Sequence, residues 1–479
     1  MNTLIRIIRK IYNPRIEDFC TRLLYFFNTI DTYFVVAGAI SFTVYAMLYG
    51  WQGSVIAFVA VTAAIGIIYK IADFYPLFLL LSPLYIVPLA LYYPSAVTSF
   101  GCIVVLNVVI FIAIQFMFMG IPDSIVARDI SIGFRKLWFS LLTIAPTTVS
   151  FSMSIAFSVL YAYTLMVVPD PRQSGGALFW GGLLIAALIT RLFLPRSFVS
   201  ADNRPVPKRA MAQRVIVINI DGCRFDRFTS ARLPFLTSLQ AQGAYFPNGI
   251  ETVYRALTNP AFASILTGAL PAVHGIRSNN LGQKIKVQGL PDIVKTKLYG
   301  SMHVQHFSKK HWDTGIVSLP THSVYKSDDI MFTWLQRDLE AHDDTRLFIA
   351  DISETDFLGH AYGSGSDHYL AALKRADARI ADFYVWLEQR AFLKDTIIII
   401  CSDHGIVQID HSYLLFQAER FVPCIFYGPG IRKNKALTYR ASIMDIASTI
   451  SFILGVPYPD HCRGRVFTEA LENISNYGF

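Results

Sequence analysis

The sequence predicts two architectures in series: an all-α membrane-spanning region, then an α/β domain on a mostly parallel sheet. Three observations predict them. Long apolar runs fill residues 33–195 and give way to ordinary mixed sequence. In the second half, three short apolar segments of strand length each lead into Asp, in two cases with His close by. Charge divides at the same place: residues 1–214 carry 16 Lys and Arg against 8 Asp and Glu, whereas residues 215–479 carry 26 of each.

The membrane region comes first. The chain is 53% hydrophobic and 16% charged, against roughly 25% charged in ordinary soluble domains. A spanning helix takes about 20 mostly apolar residues. Residues 1–200 hold about six such stretches, at 33–50, 53–70, 76–94, 97–119, 137–168 and 177–195. The fifth is long for one span, and Pro146 offers a kink. Arg6, Arg9, Lys10, Arg15 and Arg22 precede the first stretch, which puts the N-terminus in the cytoplasm. With six spans, Arg128, Arg135 and Lys136 also fall inside, as do Arg196, Arg204, Lys208 and Arg209. That count predicts a multi-pass cell (inner) membrane protein whose second half is cytoplasmic; five spans would put it outside. Charges within the stretches are nearly absent, so the region reads as an anchor rather than a transport path. Residues 201–213 read as a basic linker. Because the basic excess sits in the membrane half, it points to membrane lipids and not to nucleic acid. The first thirty residues lack the continuous apolar core of a cleavable signal peptide.

The α/β domain is predicted over 214–479. It opens on "RVIVINIDGCRFD", where Val215 to Ile220 is a β-branched run typical of a buried central strand. Ligands of open α/β sheets bind beyond the carboxyl ends of the strands, so Asp221 stands where chemistry occurs. "RLFIADISETDFLGH" and "DTIIIICSDHG" repeat the arrangement. Three strands of one sheet would deliver Asp221, Asp356, His360, Asp403 and His404 to one edge. Carboxylates with imidazoles suit zinc, ahead of Mn²⁺ or Mg²⁺. Between these segments lies "YRALTNPAFASILTGALPAVHGIRSNN". Thr258 reads either as a helix N-cap or as a nucleophile at a helix N-terminus, where free N–H groups favour phosphate.

The segment 214–467 resembles the alkaline phosphatase superfamily, most closely its type I phosphodiesterase/nucleotide pyrophosphatase branch. The matching pieces are "IDGCRFDRF", "LPFLTSLQAQGAYFPN", "TNPAFASILTGALPAVHGIRSNN", "ETDFLGHAYG", "CSDHG", "VPCIFYGPGI" and "SIMDIASTISFILGVPYPDHCRGRVF". The resemblance implies a central, mostly parallel sheet with helices on both faces. It also implies two divalent metal ions. One would be held by Asp221, Thr258, Asp403 and His404. The other would be held by Asp356, His360 and a later His, for which His411 fits ahead of His461. Thr258 would be the nucleophile, its hydroxyl made acidic by a metal. Asn279, with Asn280 as fallback, would hold a phosphate oxygen. Leu257 stands where the family often has Lys, and Arg255 could supply that charge to substrate.

The resemblance implies a membrane-anchored phosphoester hydrolase of the phosphodiesterase/pyrophosphatase type, acting on a lipid-linked or nucleotide-like substrate. A phosphoethanolamine or phosphoglycerol transferase is the second reading, since those enzymes resemble this chain in joining several spans to a similar domain. They usually face outward with five spans. An inactive membrane-bound binding module is the third. Substrate selection falls to residues 281–345, which carry no readable motif. The remaining polar residues read as structural: His274 in a turn, His303, His306, His311, His322 and His342 on the surface, Asp445 as a helix cap. In the predicted helix 366–390, Tyr369, Leu373, Ala376, Ile380, Phe383 and Leu387 share one face and read as core. Cys401 and Cys424, in strand-like runs, read as buried thiols.

Overall fold

The computed structural model describes residues 67–68, 77, 81, 83–92, 116–135, 174–202, 204–279, 282–341, 343–411, 414 and 416–478. The chain divides into two compact units, one containing Asp123–Asp129 and Arg196–Phe479, the other Phe19–Pro122 and Ile130–Pro195. In the second unit, helices Pro83–Tyr92 and Ser174–Leu192 pack together. A Cβ on Gly182 would lie 2.2 Å from the Leu84 carbonyl oxygen, so glycine is what lets the two backbones meet. Tyr85 and Phe179 are buried edge to face beside that approach. Among the described residues, no helix is long and apolar enough to cross a membrane. Of the predicted spans, 33–50 and 137–168 lie outside the described residues, and most of 53–70 and 97–119 does too.

Among the described residues, the first unit is built on ten strands: β1 Arg214–Ile220, β2 Ala244–Tyr245, β3 Ile250–Glu251, β4 Thr296–Gly300, β5 Asp313–Ile316, β6 Leu347–Ile352, β7 Thr396–Cys401, β8 Phe421–Val422, β9 Cys424–Tyr427 and β10 Lys435–Ala436. Eight form one sheet in the order β10-β2-β9-β7-β1-β6-β4-β5, while β3 and β8 pair separately. The five strands from β7 to β5 run parallel, and β9 lies antiparallel between β7 and β2. Strands β1, β6 and β7 are buried along their length, as a central parallel sheet covered on both faces requires.

Successive side chains of β1 alternate between faces. Val215 and Val217 join a core with helices α1 (Thr258–Thr267) and α5 (Asp445–Leu454). Ile216, Ile218 and Ile220 join the opposite core with α2 (Val324–Glu340) and α4 (Asp367–Gln389). The predicted core face of α4 is buried at all six positions. Cys401 and Cys424 are buried thiols directly opposite one another across β7 and β9. Part of the 281–345 stretch is framework: it supplies β4 and β5 at the sheet edge.

Three expectations are corrected. His303 and His306 are buried, because the short helix Met302–Phe307 turns them inward with Val304 and Phe307. Asp445 does not cap α5. Its carboxylate accepts from Ser442 N, Arg465 N and the Ser200 hydroxyl, tying three distant segments together. Thr258 is the first residue inside α1, the cap being the extended Leu257.

Within the first unit, the segment Asp123–Asp129 packs against residues of the C-terminal half. Val126 sits with Val324, Leu358 and Ala372, and Tyr362 donates to Asp129 Oδ2 at 2.8 Å. Both Leu358 and Tyr362 belong to α3 (Glu354–Tyr362).

Candidate metal centre and nucleophile

Sheet register assembles the site. β1 lies between β6 and β7, with Val215 opposite both Leu347 and Ile397. Three parallel carboxyl ends therefore open onto one edge. Asp221 follows β1 directly, α3 starts two residues after β6, and Asp403-His404 follows β7. Gly222 has φ +67°, and a Cβ there would lie 2.5 Å from Asp356 Oδ1. Only glycine lets the turn after Asp221 come so close to α3. Tyr369 of α4 fixes that turn: its hydroxyl donates to Gly222 O at 2.7 Å and accepts from Arg224 N at 2.9 Å. Tyr369→Phe would leave the Gly222 carbonyl unpaired, so a loss of about 1–3 kcal/mol in unfolding free energy is expected by denaturant titration.

The ligand atoms converge in two groups. Asp356, His360 and His411 form one; Asp221, Asp356 and His404 form the other, with the atoms of each group within 4.8 Å of one another. His404 Nε2 lies 3.5 Å from Asp221 Oδ1, 3.3 Å from Asp403 Oδ2 and 3.0 Å from Thr258 Oγ1. The His404 and His411 rings stack at 3.7 Å.

The donor set fits a cation on two counts. His360 Nδ1 lies 2.7 Å from the Ile409 carbonyl, and His411 Nδ1 lies against the Ala256 carbonyl. A carbonyl only accepts, so each ring carries its proton on Nδ1 and directs a lone pair outward from Nε2, the usual tautomer of a metal-binding imidazole. The two Nε2 atoms approach to 3.1 Å, which is repulsive without a positive charge beside them. Burial, with His404 nearby, holds His411 well below its ordinary pKa. Secondly, Asp221 Oδ1, Asp356 Oδ1 and Asp403 Oδ2 are buried without a hydrogen-bond partner. Orphaned buried carboxylate oxygens are costly, and a divalent ion offsets that cost.

Burial raises Asp221 well above the carboxylate range, with Asp356 and Asp403 adding to the effect. Burial likewise pushes Asp403 up to about 6. For Asp356 burial acts upward, but His360, His411 and His404 outweigh it and hold the carboxyl low. Below about pH 6 a metal must displace the proton that Asp403 retains there. Affinity is therefore present above about pH 6 and falls as pH drops through the Asp403 value, by about tenfold per unit for each displaced proton. Titrating metal-depleted protein with buffered zinc at several pH values checks this.

The other predicted residues distribute as follows. Asn279 Oδ1 accepts from Asn259 N at 3.0 Å, one residue beyond Thr258. Asn280 and His342 lie outside the described residues. Arg255 is half-buried on the loop before α1. His461 is exposed beside Asp460, away from the cluster formed with His411. His274 is buried against Ser264, its pKa lowered to about 3 by burial, as a structural turn residue should be. Sequence reasoning missed Asn219, Asp351 and His303, which form a buried polar chain behind the site.

Residues 215–286 and 282–424 match the family described as type I phosphodiesterase / nucleotide pyrophosphatase. An uncharacterized pyrophosphatase/phosphodiesterase of Schizosaccharomyces pombe is 27% identical over 235 residues, covering 43% of this chain and 47% of that protein. GPI ethanolamine phosphate transferase 2 of Aspergillus fumigatus is 24% identical over 292 residues, covering 54% and 37%. Arylsulfatase K of Canis lupus familiaris is 31% identical over 100 residues, 20% of this chain. The chain thus spans 19% of that sulfatase and less than half of the other two relatives. Among solved structures, murine ectonucleotide pyrophosphatase / phosphodiesterase 5 in complex with AMP superposes with a TM-score of 0.45 at 13% identity, covering 52% of this chain and 96% of that one.

Proposed function

We propose that the C-terminal domain, a member of the alkaline phosphatase superfamily, is a metal-dependent phosphoester hydrolase of the phosphodiesterase/pyrophosphatase type with Thr258 as nucleophile. The observation that carries the reading is the convergence of Thr258 Oγ1, three imidazole Nε2 atoms and three orphaned carboxylate oxygens at one sheet edge. Asp221, Asp403, His404 and Thr258 would hold one divalent ion, and Asp356, His360 and His411 the other. Zinc suits this mixture of nitrogen and oxygen donors best. When bound, such ions lower the pKa of a hydroxyl and stabilise a leaving oxygen.

The protein's own part is positional. α1 holds Thr258 as its first residue, with its hydroxyl 3.0 Å from His404 Nε2. The Asn279 amide, its oxygen already engaged by Asn259 N, has its NH₂ to donate to a non-bridging oxygen. A bond forms between Thr258 Oγ1 and phosphorus while the bond to the leaving oxygen breaks. Water then frees Thr258 in a second displacement. Arg255 contributes positive charge to the substrate side.

The similarity to an ethanolamine phosphate transferase favours a second reading, in which an alcohol replaces water in the second displacement. Turnover of phosphomonoester, phosphodiester and pyrophosphate substrates, with and without zinc and with an alcohol acceptor, separates the two. Release of free acid supports the hydrolase, release of a phosphorylated acceptor supports the transferase, and no zinc-dependent turnover overturns both.

The protein is anchored in the cell membrane by its N-terminal region and meets a lipid-linked or nucleotide-like substrate there. The packing of Asp123–Asp129 on α3 supports a common side for that segment and the catalytic domain. The cluster of Arg128, Arg135 and Lys136 favours the cytoplasm as that side. Single cysteines introduced near residues 129 and 435 in intact cells are expected to respond alike to an impermeant thiol label. Opposite responses would contradict the shared side.

A further inference from the structure

We infer that two buried hydroxyls, those of Ser402 and Thr252, are positioning residues for the metal-ligand pair Asp403 and His404. Each hydroxyl holds the peptide carbonyl of one of these ligands, and Ser402 also ties their turn to the one that carries Asp221. The inference rests on the metal-centre reading above.

It starts from where regular pairing stops. β7 ends at Cys401, so Ser402, Asp403 and His404 lie beyond the ladder that fixes the strand. All three are fully buried. A buried peptide group without a partner is costly, and here side-chain hydroxyls take the place of a neighbouring strand. Ser402 Oγ donates to the His404 carbonyl at 2.9 Å and accepts from Cys223 N at 3.0 Å. Its single proton and a lone pair are thus used in opposite directions. Thr252 Oγ1 donates to the Asp403 carbonyl. Gly405 N then donates to Glu419 O at 3.0 Å, and a Cβ on Gly405 would lie 1.9 Å from the Ala418 carbonyl oxygen. Three successive residues, Asp403, His404 and Gly405, are held in this way.

The support behind each hydroxyl is itself fixed. Cys223 belongs to the turn after β1, whose Gly222 N donates to Asp403 Oδ1 at 3.4 Å. The turns after β1 and β7 are therefore joined twice, through Ser402 and through the Asp403 carboxylate. Thr252 follows β3, which pairs with β8, and Thr252 N donates to Arg420 O at 2.9 Å. Beside it the buried Glu251 accepts from both Arg420 and Arg440. The separate two-stranded sheet thus braces the Thr252 hydroxyl against Asp403.

Both hydroxyls act on ligands of the same ion. His404 Nε2 lies 3.3 Å from Asp403 Oδ2 and 3.5 Å from Asp221 Oδ1, a convergence set by the backbone torsions that the two carbonyl bonds restrict. His360 and His411, ligands of the other ion, are oriented by different partners, the Ile409 and Ala256 carbonyls. Loss of either hydroxyl should therefore be felt by one ion only.

The test compares Ser402→Ala, Thr252→Val and Thr252→Ser with the unaltered chain. Zinc affinities, from competition against a chromophoric chelator, are measured beside thermal unfolding of the metal-free protein. Partners that orient metal ligands typically govern affinity by about 10–100-fold. The expected result is that the unaltered chain binds two zinc ions, and that Ser402→Ala and Thr252→Val weaken one of them by that factor while the other is unchanged. Thr252→Ser, which keeps the hydroxyl, is expected to bind both ions as the unaltered chain does. Variants that unfold earlier but bind both ions with unaltered affinity overturn the inference and leave the metal centre standing. Equal weakening of both ions, or a Thr252→Ser variant as weak as Thr252→Val, also overturns it, because general loosening and not the hydroxyl would then be responsible. If Ser402→Ala does not fold, unaltered affinities in Thr252→Val overturn the inference alone. Failure of the unaltered chain to bind zinc overturns the metal-centre reading, and the inference with it.

Discussion

Replacing Thr258 by Ala is expected to lower turnover of an aryl phosphodiester by about 10³-fold or more, the scale on which enzymes lose rate with their nucleophile. The effect should be chemical rather than structural. Thr258 is 7% exposed in a fully buried helix, and Ala removes only the hydroxyl and one methyl. The Thr258 side chain makes no cap bond to the backbone of α1, so helix stability does not depend on it. Its hydroxyl faces His404 Nε2 at 3.0 Å. Zinc content is expected to persist in the variant, because the imidazoles and carboxylates remain. Thr258→Ser, which restores a hydroxyl, should recover much of the rate. Steady-state kinetics with metal analysis on the same preparations checks all three expectations. An alanine variant retaining a tenth or more of wild-type turnover would exclude Thr258 as nucleophile.

The second large effect is expected at Asp356. This carboxylate belongs to both ligand groups, lies 3.4 Å from His360 Nε2 and 3.8 Å from His411 Nε2, and is held ionised by those rings against the cost of burial. Asn keeps the shape and removes the charge. Outer-shell partners alone cost about 10–100-fold in metal affinity, so a direct ligand should cost at least the upper end of that range. Asp356→Asn is thus expected to bind zinc on the order of 10²-fold more weakly and to lose the rise in Tm that ligand binding confers on the native state. Calorimetry with and without zinc measures both. A variant still stabilised by zinc to the wild-type extent would remove Asp356 from the metal centre.

The sequence made the framework of the site readable for a physical reason. Parallel strands buried on both faces appear as continuous apolar runs, and their carboxyl ends must share an edge. "INIDG" and "IIIICSDHG" therefore announced both their strands and the residues just beyond them. The same reasoning failed where polarity was buried. "SMHVQHFS" reads as a polar loop, yet His303, His306 and Phe307 share one helical face, and that i, i+3, i+4 pattern was the available signal. Asp351 within "LFIADI" and Asn219 within "RVIVINI" carried another: a polar group inside a buried strand needs a partner. Thr258 illustrates a boundary error. Thr before Asn-Pro has the composition of a cap, but only backbone geometry distinguishes the extended Leu257 from the first helical residue. His411 stood ahead of His461 in sequence, and tertiary placement separates the buried ring stacked on His404 from the exposed one beside Asp460.

The central claim is a double displacement through Thr258, and the stereochemical course at phosphorus tests it most directly. A chiral aryl phosphorothioate diester can be turned over by the zinc-loaded protein in ¹⁸O-labelled water, or with an alcohol acceptor if transfer dominates. Two in-line displacements, the first by Thr258 Oγ1, predict net retention of configuration. Net inversion would mean that water or the acceptor attacks phosphorus directly, and would contradict the account.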